Sequence, residues 1–282
     1  MISGVDPGQG HRHGHPSRRA LLGAGALAVG GAAVAGAGLA RAGPVRRRLA
    51  DPGPPGVVPD VPQAVTLEAV TSPARGRRVG LFVAVPADLP ADRRDGLPVC
   101  LVLHGASATT ADLPGFGLGR FLTAAVRDGV PPFALVAVDG GRSGWEGGPG
   151  DDPQRMLVEE VPRWCAERAL DATRPTVHGW SMGGRGALLL AVRGELPLTA
   201  VAAFSPALSG DDEVHRRATA LADLPVGLWC GTGDPLLDQA QRLAGEVPGG
   251  VDVAAWSPGR HTRDYWNRVT PDALAFVGHR LT

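Results

Sequence analysis

A serine set among glycines, Gly179-Trp180-Ser181-Met182-Gly183-Gly184, is the stretch of this sequence best suited to chemistry. It follows the β-branched run Thr176-Val177-His178 and precedes Gly186-Ala187-Leu188-Leu189-Leu190-Ala191. The pattern reads as strand, sharp turn, helix, with the serine at the tip. A serine there takes a strained backbone conformation, and a side chain at Gly179 or Gly183 would collide with the neighbouring strand or helix. The helix starting near Met182 directs free N–H groups and the positive end of its dipole at the same spot. The chemistry implied is acyl transfer through the Ser181 hydroxyl; the plain alternative is a glycine-rich turn carrying an incidental serine.

Acyl transfer needs a base, an acid to orient it and donors for the oxyanion. His261 is the base best placed, in the loop Ser257-Pro258-Gly259-Arg260 that follows a strand and precedes the last helix. His178 reads as a packed core histidine, His215 lies in a charged helical stretch and His279 is at the end of the chain. The acid is expected at Asp234 in Cys230-Gly231-Thr232-Gly233-Asp234-Pro235, with Asp238 as the rival. The Asp234 side chain could equally cap the helix that Pro235 opens. Asp252 sits too near a strand interior, and Asp211 and Asp212 fall in a charged insertion expected to be a solvated cap. The oxyanion donors are expected to be the backbone N–H groups of Met182 and of Ala106, with Gly105 next, in Leu103-His104-Gly105-Ala106. His104, Trp145, Trp180 and Arg142 are expected to contact substrate, His104 also tying neighbouring loops together.

Elements must carry these residues to one place. Ala64 to Val70 and Arg78 to Val85 alternate about a turn, which predicts an edge hairpin. Short apolar runs at Pro98–Leu103, Phe133–Val138, Thr176–His178, Thr199–Phe204, Val226–Cys230 and Val251–Trp256 predict strands covered on both faces. Helical patterns lie between them at about Gly119–Asp128, Pro153–Ala169, Gly184–Arg193, Pro235–Ala244 and Arg263–Arg280. The alternation gives an α/β fold: a doubly wound, mostly parallel sheet with helices on both faces. Asp152-Pro153 marks a helix start, and the glycine-rich loop before it, Asp139 to Asp151, follows a strand's carboxyl end where ligands bind in open α/β sheets.

The chain has 282 residues and zero formal net charge, all its cationic side chains other than histidine being arginine. Neutrality argues against nucleic acid as a partner. Ser17-Arg18-Arg19 leads a Gly/Ala-rich apolar run to Ala40, and Ala40-Arg41-Ala42 offers a cleavage site. This predicts a twin-arginine (Tat) export signal over 1–42, with an uncleaved membrane anchor as the rival, and hence the Tat export machinery as a partner and membrane proximity through the N-terminus. His11, His13 and His15 belong to that segment's solvated tail, and 43–62 reads as a Pro/Gly-rich flexible linker before a catalytic domain over 63–282. Three cysteines, Cys100, Cys165 and Cys230, are expected as buried thiols. No metal or organic cofactor is called for.

The chain resembles the esterase branch of the α/β-hydrolases, which includes esterase D-like enzymes, feruloyl esterases and actinobacterial mycolyltransferases. The matching residues are Leu103-His104-Gly105, Gly179-Trp180-Ser181-Met182-Gly183-Gly184, Gly233-Asp234 and His261-Thr262-Arg263-Asp264-Tyr265-Trp266. The resemblance implies the α/β-hydrolase fold, with Ser181 as nucleophile, His261 as base and Asp234 as acid. It also implies that Tyr265 and Trp266 pack under the histidine loop. The function expected is an exported serine esterase acting on a small-molecule or lipid ester. The alternatives are an acyltransferase on envelope glycolipids and a non-catalytic envelope protein of the same fold.

Overall fold

The computed structural model describes residues 51–281; the segment expected to be the export signal lies outside them. Eight strands form one sheet: β1 (Ala64–Ser72), β2 (Arg77–Val85), β3 (Leu97–Leu103), β4 (Ala134–Val138), β5 (Leu170–Trp180), β6 (Ala200–Phe204), β7 (Val226–Gly231) and β8 (Val253–Ser257). Their spatial order is β1-β2-β4-β3-β5-β6-β7-β8. β1 and β2 pair antiparallel as the expected hairpin, β2 pairs antiparallel with β4, and every later pairing is parallel. β1 is the edge strand and largely exposed, whereas every residue of β4, β6 and β7 is buried, which is why those three read as unbroken apolar runs.

Helices cover both faces. α1 (Leu118–Arg127) and α6 (Arg263–Gly278) pack Phe121, Leu122, Leu274 and Val277 on one side, against Val102, Leu135 and Phe204. α3 (Met182–Arg193) packs Leu188, Leu189 and Leu190 on the other, against Leu101, Val136 and Val201. α2 shares that second face; it consists of Pro153–Arg155, a π turn over Met156–Glu160 and Val161–Ala166. The short α4 (Glu213–Arg216) and α5 (Leu237–Glu246) complete the set. The doubly wound sheet is therefore as expected.

Several boundaries differ from expectation for local reasons. Asp152 caps α2 as predicted, accepting from Arg155 N at 2.9 Å. The helix then widens ahead of Pro162, whose ring lacks a donor and would press on the carbonyl four residues back. The π turn leaves Glu160 pointing inward, where its carboxylate accepts from Ser72 Oγ and Ala74 N. β5 begins six residues earlier than its apolar core, because Asp171, Thr173 and Arg174 are exposed and give no hydrophobic signal. α5 starts at Leu237 rather than Pro235, since Asp234 Oδ1 takes the Leu236 N–H and holds the chain in a turn first.

The described end of the 43–62 segment, expected as a flexible linker, lies along the domain instead. Gly56 N donates to Asp264 O at 3.0 Å, Arg268 bonds the carbonyls of Pro54 and Pro258, and Val58 packs on Gly117. Among the described residues, no helix is long and apolar enough to cross a membrane.

Candidate active site

Ser181 sits between β5 and α3 with φ 55° and ψ −120°, outside the regions a serine ordinarily adopts. Bonds fix it there: Ser181 N donates to Phe204 O at 2.8 Å, and Ser181 O accepts from Arg185 N and Ala207 N at 3.1 and 3.0 Å. The glycines on either side are steric necessities. A Cβ at Gly183 would lie 1.9 Å from Leu103 O, and one at Gly179 would lie 2.3 Å from Gly183 O. Helix α3 can pass this close to β5 and to the end of β3 only where both residues lack a side chain.

His261 and Asp234 reach the serine because two loops at the sheet's carboxyl edge are joined. Thr232 N donates to Ser257 O at 2.9 Å and Gly233 N to Gly259 O at 2.8 Å. The close approach leaves no room for a Cβ at Gly231, which would meet the Gly259 carbonyl at 2.5 Å. Tyr265, 1% exposed, fills the space beneath Gly259. Asp234 is fully buried, and its Oδ2 lies 2.9 Å from His261 Nδ1. His261 Nε2 lies 2.9 Å from Ser181 Oγ. A carboxylate accepts only, so Nδ1 carries the proton and Nε2 is left as the acceptor for the serine hydroxyl. Trp266 stands edge-on to the imidazole at 5.0 Å between centroids, its Nε1 donating to Ser205 Oγ at 3.3 Å. Tyr265 and Trp266 thus pack at the histidine loop as the resemblance implied. The rival acid, Asp238, is exposed on α5.

A cleft of about 380 Å³ opens beside Ser181 and His261, lined by Gly105, Ala106, Phe116, Trp180, Arg263 and Trp266 among others. Met182 is the first residue of α3, so its N–H has no acceptor within the helix. Gly105 must be glycine because a Cβ would sit 2.8 Å from Trp180 Nε1. Ala106 O accepts from Arg142 Nε at 3.1 Å, which pins that peptide. Asp139 holds the same loop from below, accepting from Thr110 N at 2.7 Å and Gly80 N at 2.9 Å. Among the described residues, no group of three or more His, Cys, Asp or Glu is arranged to hold a metal ion.

Three of the four expected substrate contacts stand elsewhere. Trp145 is fully buried, with φ 61°; its indole lies under Gly140 and Gly186 and donates to His104 O at 3.1 Å. An apolar ring in a long loop is better stabilised by burying its area than by waiting for a ligand. His104 is 1% exposed and serves the loops only: its Nε2 accepts from Gly140 N at 3.0 Å. Burial lowers its pKa, which keeps the ring neutral. Arg142 is exposed and lines a separate hollow with Arg77, Asp139 and Ala108, on the other side of the Ala106–Ala108 loop. Trp180 alone lines the cleft.

The Asp211/Asp212 stretch is also not simply a solvated cap. Asp212 is buried, caps α4 through Val214 N and pairs with Arg185 at 2.6 Å. His178 is a core residue as expected; desolvation pulls its pKa down to about 4. Phe116 and Arg263 also line the cleft; Phe116 has no motif to announce it, and Arg263 lies in the His261–Trp266 stretch without a role read for it there, each reaching the cleft by tertiary packing.

Solved structures share this fold. A ferulic acid esterase superposes with TM-score 0.69 at 19% identity, covering 78% of this chain and 99% of that one. An S-formylglutathione hydrolase from Agrobacterium tumefaciens gives 0.62 at 18%, over 79% and 99%. MPT51 of Mycobacterium tuberculosis gives 0.57 at 18%, over 79% and 100%. No curated protein matches by sequence. A family model described as "Putative esterase" matches residues 72–274, from the end of β1 into α6. With that match spanning most of the chain and the fold agreeing, the protein belongs to this esterase family of α/β-hydrolases.

Proposed function

We propose that the protein is an exported serine esterase that hydrolyses carboxylic esters through an acyl-enzyme. The observation that carries the reading is the unbroken series from Ser181 Oγ to His261 Nε2 and from His261 Nδ1 to Asp234 Oδ2, each 2.9 Å. His261 takes the Ser181 proton as Oγ attacks the ester carbonyl, and Asp234 stabilises the imidazolium that forms. The tetrahedral oxyanion rests on the N–H groups of Met182 and Ala106. The intermediate collapses, its C–O bond breaks and the alcohol leaves with the proton from His261. Water then attacks the acyl-enzyme, giving its proton to His261, and Ser181 recovers that proton as the acid departs.

Export follows from Ser17-Arg18-Arg19 and the apolar run behind it, with cleavage after Ala42. The Tat machinery is then a partner, and the mature chain acts outside the cytoplasm or at the envelope. Three experiments test the reading. A fluorophosphonate probe labels the wild-type protein at Ser181 and leaves Ser181→Ala unlabelled, and the same substitution abolishes turnover of short-chain aryl esters. Turnover by Ser181→Ala equal to that of the wild type overturns the hydrolase. Replacing Arg18 and Arg19 together by lysine keeps the protein inside the cell; unchanged export overturns the twin-arginine route.

A further inference from the structure

The cleft beside Ser181 contains a cation that forms no ion pair among the described residues. Arg263 is the first residue of α6, immediately after the cap Thr262. Its guanidinium carbon lies 3.2 Å from the centroid of Phe116 and 5.7 Å from that of Trp180. Stacking uses the face of the guanidinium and leaves the N–H donors along its edge available. No ion pair of Arg263 occurs among the described residues; the Asp112 carboxylate acts on it only from a distance, its Oδ2 accepting from Thr109 N and Oγ1 at 2.8 and 2.9 Å. Burial lowers its pKa to about 10 against the opposing pull of Asp112, so it remains cationic at neutral pH.

The position makes little sense as structure alone. A cation in the first turn faces the positive end of the helix dipole. Desolvating the charge without a partner costs more again. The aromatic platform of Phe116 and Trp180 could be covered by any apolar side chain. The other charges near the cleft do not supply a counter-ion: His261 shares its hydrogen bonds with Ser181 and Asp234, and Asp264 is exposed on the next position of α6. Arg77 and Arg142, on the far side of the Ala106–Ala108 loop, are themselves cationic.

We propose that Arg263 is the residue that recognises an anionic group of the substrate, and that the physiological ester carries a carboxylate a few atoms from its scissile carbonyl. The proposal rests on the reading of Ser181 as the nucleophile. The carboxylate enters the same cleft as the reacting ester, lies along the free edge of the guanidinium and replaces the water lost there.

The test uses matched pairs of esters on the full-length protein. Mono-4-nitrophenyl glutarate is compared with its methyl-capped diester, which places the charge on the acyl side. 4-Acetoxybenzoate is compared with its methyl ester, which places it on the alcohol side. In at least one pair the anionic member has a kcat/KM about 10-fold or more above the neutral one, a factor expected of one charge-assisted contact. That ratio collapses to near one in Arg263→Met, survives within a few-fold in Arg263→Lys, and shrinks in 0.5 M NaCl. Because it is a ratio, a partly unfolded variant does not distort it.

A wild-type ratio near one in both pairs, or a ratio indifferent to Arg263→Met, overturns the proposal while leaving the hydrolase intact. If neither member of either pair is turned over and Ser181 resists fluorophosphonate, the hydrolase reading fails instead. Calorimetric binding of monomethyl glutarate to Ser181→Ala, with and without Arg263→Met, then decides the anion site on its own: binding lost with Arg263 supports it, and no difference overturns it.

Discussion

Asp234 uses both oxygens. Oδ1 takes the Leu236 N–H at 2.9 Å and Oδ2 takes the His261 Nδ1–H, in a site with no exposure to water. Asparagine keeps the shape but offers an NH₂ group toward Nδ1, which drives the imidazole proton onto Nε2 where the serine hydroxyl must donate. Asp234→Asn is therefore expected to lower kcat by about 10,000-fold at pH 7, with an unchanged circular dichroism spectrum. A loss under 10-fold would remove Asp234 from the assigned role. His178 gives a second residue-scale expectation, on stability rather than rate. Its folded pKa is pulled down to about 4 by burial, against an ordinary value of 6.5. The unfolded chain takes up a proton as pH falls below that ordinary value, and the folded one does not until near the lowered value. This contribution is full above about pH 6.5 and drains away down to about pH 4, roughly 2 kcal/mol of it between pH 7 and 5. Buried His104 shifts in the same direction and adds to the loss. Urea unfolding at the two pH values measures it, and in His178→Gln the difference should shrink.

At the scale of elements, the loop from β4 to α2 decides whether the oxyanion loop has a floor. Trp145 fills that floor, held by His104 O above and by the Cβ-free surfaces of Gly140 and Gly186. Trp145→Ala removes a fully buried indole and is expected to cost about 3–5 kcal/mol in urea unfolding. Ester turnover should fall with it, because Ala106 is supported through the same loop; an unchanged midpoint would mean the loop stands without the ring. This element also marks how far the sequence alone reaches. Ser181 and its two glycines were legible because the constraint is local: strand, turn and helix must pass within a few residues of one another. β4 and β6 were legible because burial on both faces leaves only apolar residues. The sequence also placed His261 and Asp234 at strand ends, where loops naturally converge. Trp145 was misread as a substrate contact, since its positive φ and its place beneath Gly186 depend on residues about forty positions away. Arg263 and Phe116 were missed for a like reason: one opens α6 and the other precedes α1, and only packing of the two helices on the same face of the sheet brings them together. The polar start of β5 and the π turn ahead of Pro162 are set by neighbours and by one proline, neither of which changes hydrophobic periodicity.

The molecule as a whole places its three thiols where they cannot meet. Cys100 lies on β3 and Cys230 on β7, with β5 and β6 between them, so about 14 Å of sheet separates the two strands. A disulfide needs Cα atoms under about 7 Å apart. Cys165 belongs to α2 and the opposite face of the sheet from Cys100. None of the three forms a disulfide, each is at most 1% exposed, and burial raises the thiols of Cys100 and Cys165 to about 12. A thiolate is the reactive form, so neither should react at ordinary pH. Stability thus comes from the two apolar layers, not from cross-links. The folded protein is expected to ignore a disulfide reagent such as dithiodipyridine at pH 8, and to release three equivalents once unfolded in guanidinium under non-reducing conditions. Its Tm should be the same with and without dithiothreitol. One equivalent instead of three, together with a Tm lowered by the reductant, would mean that two of these sulfurs pair, and that the strand order separating them is not the one the molecule adopts.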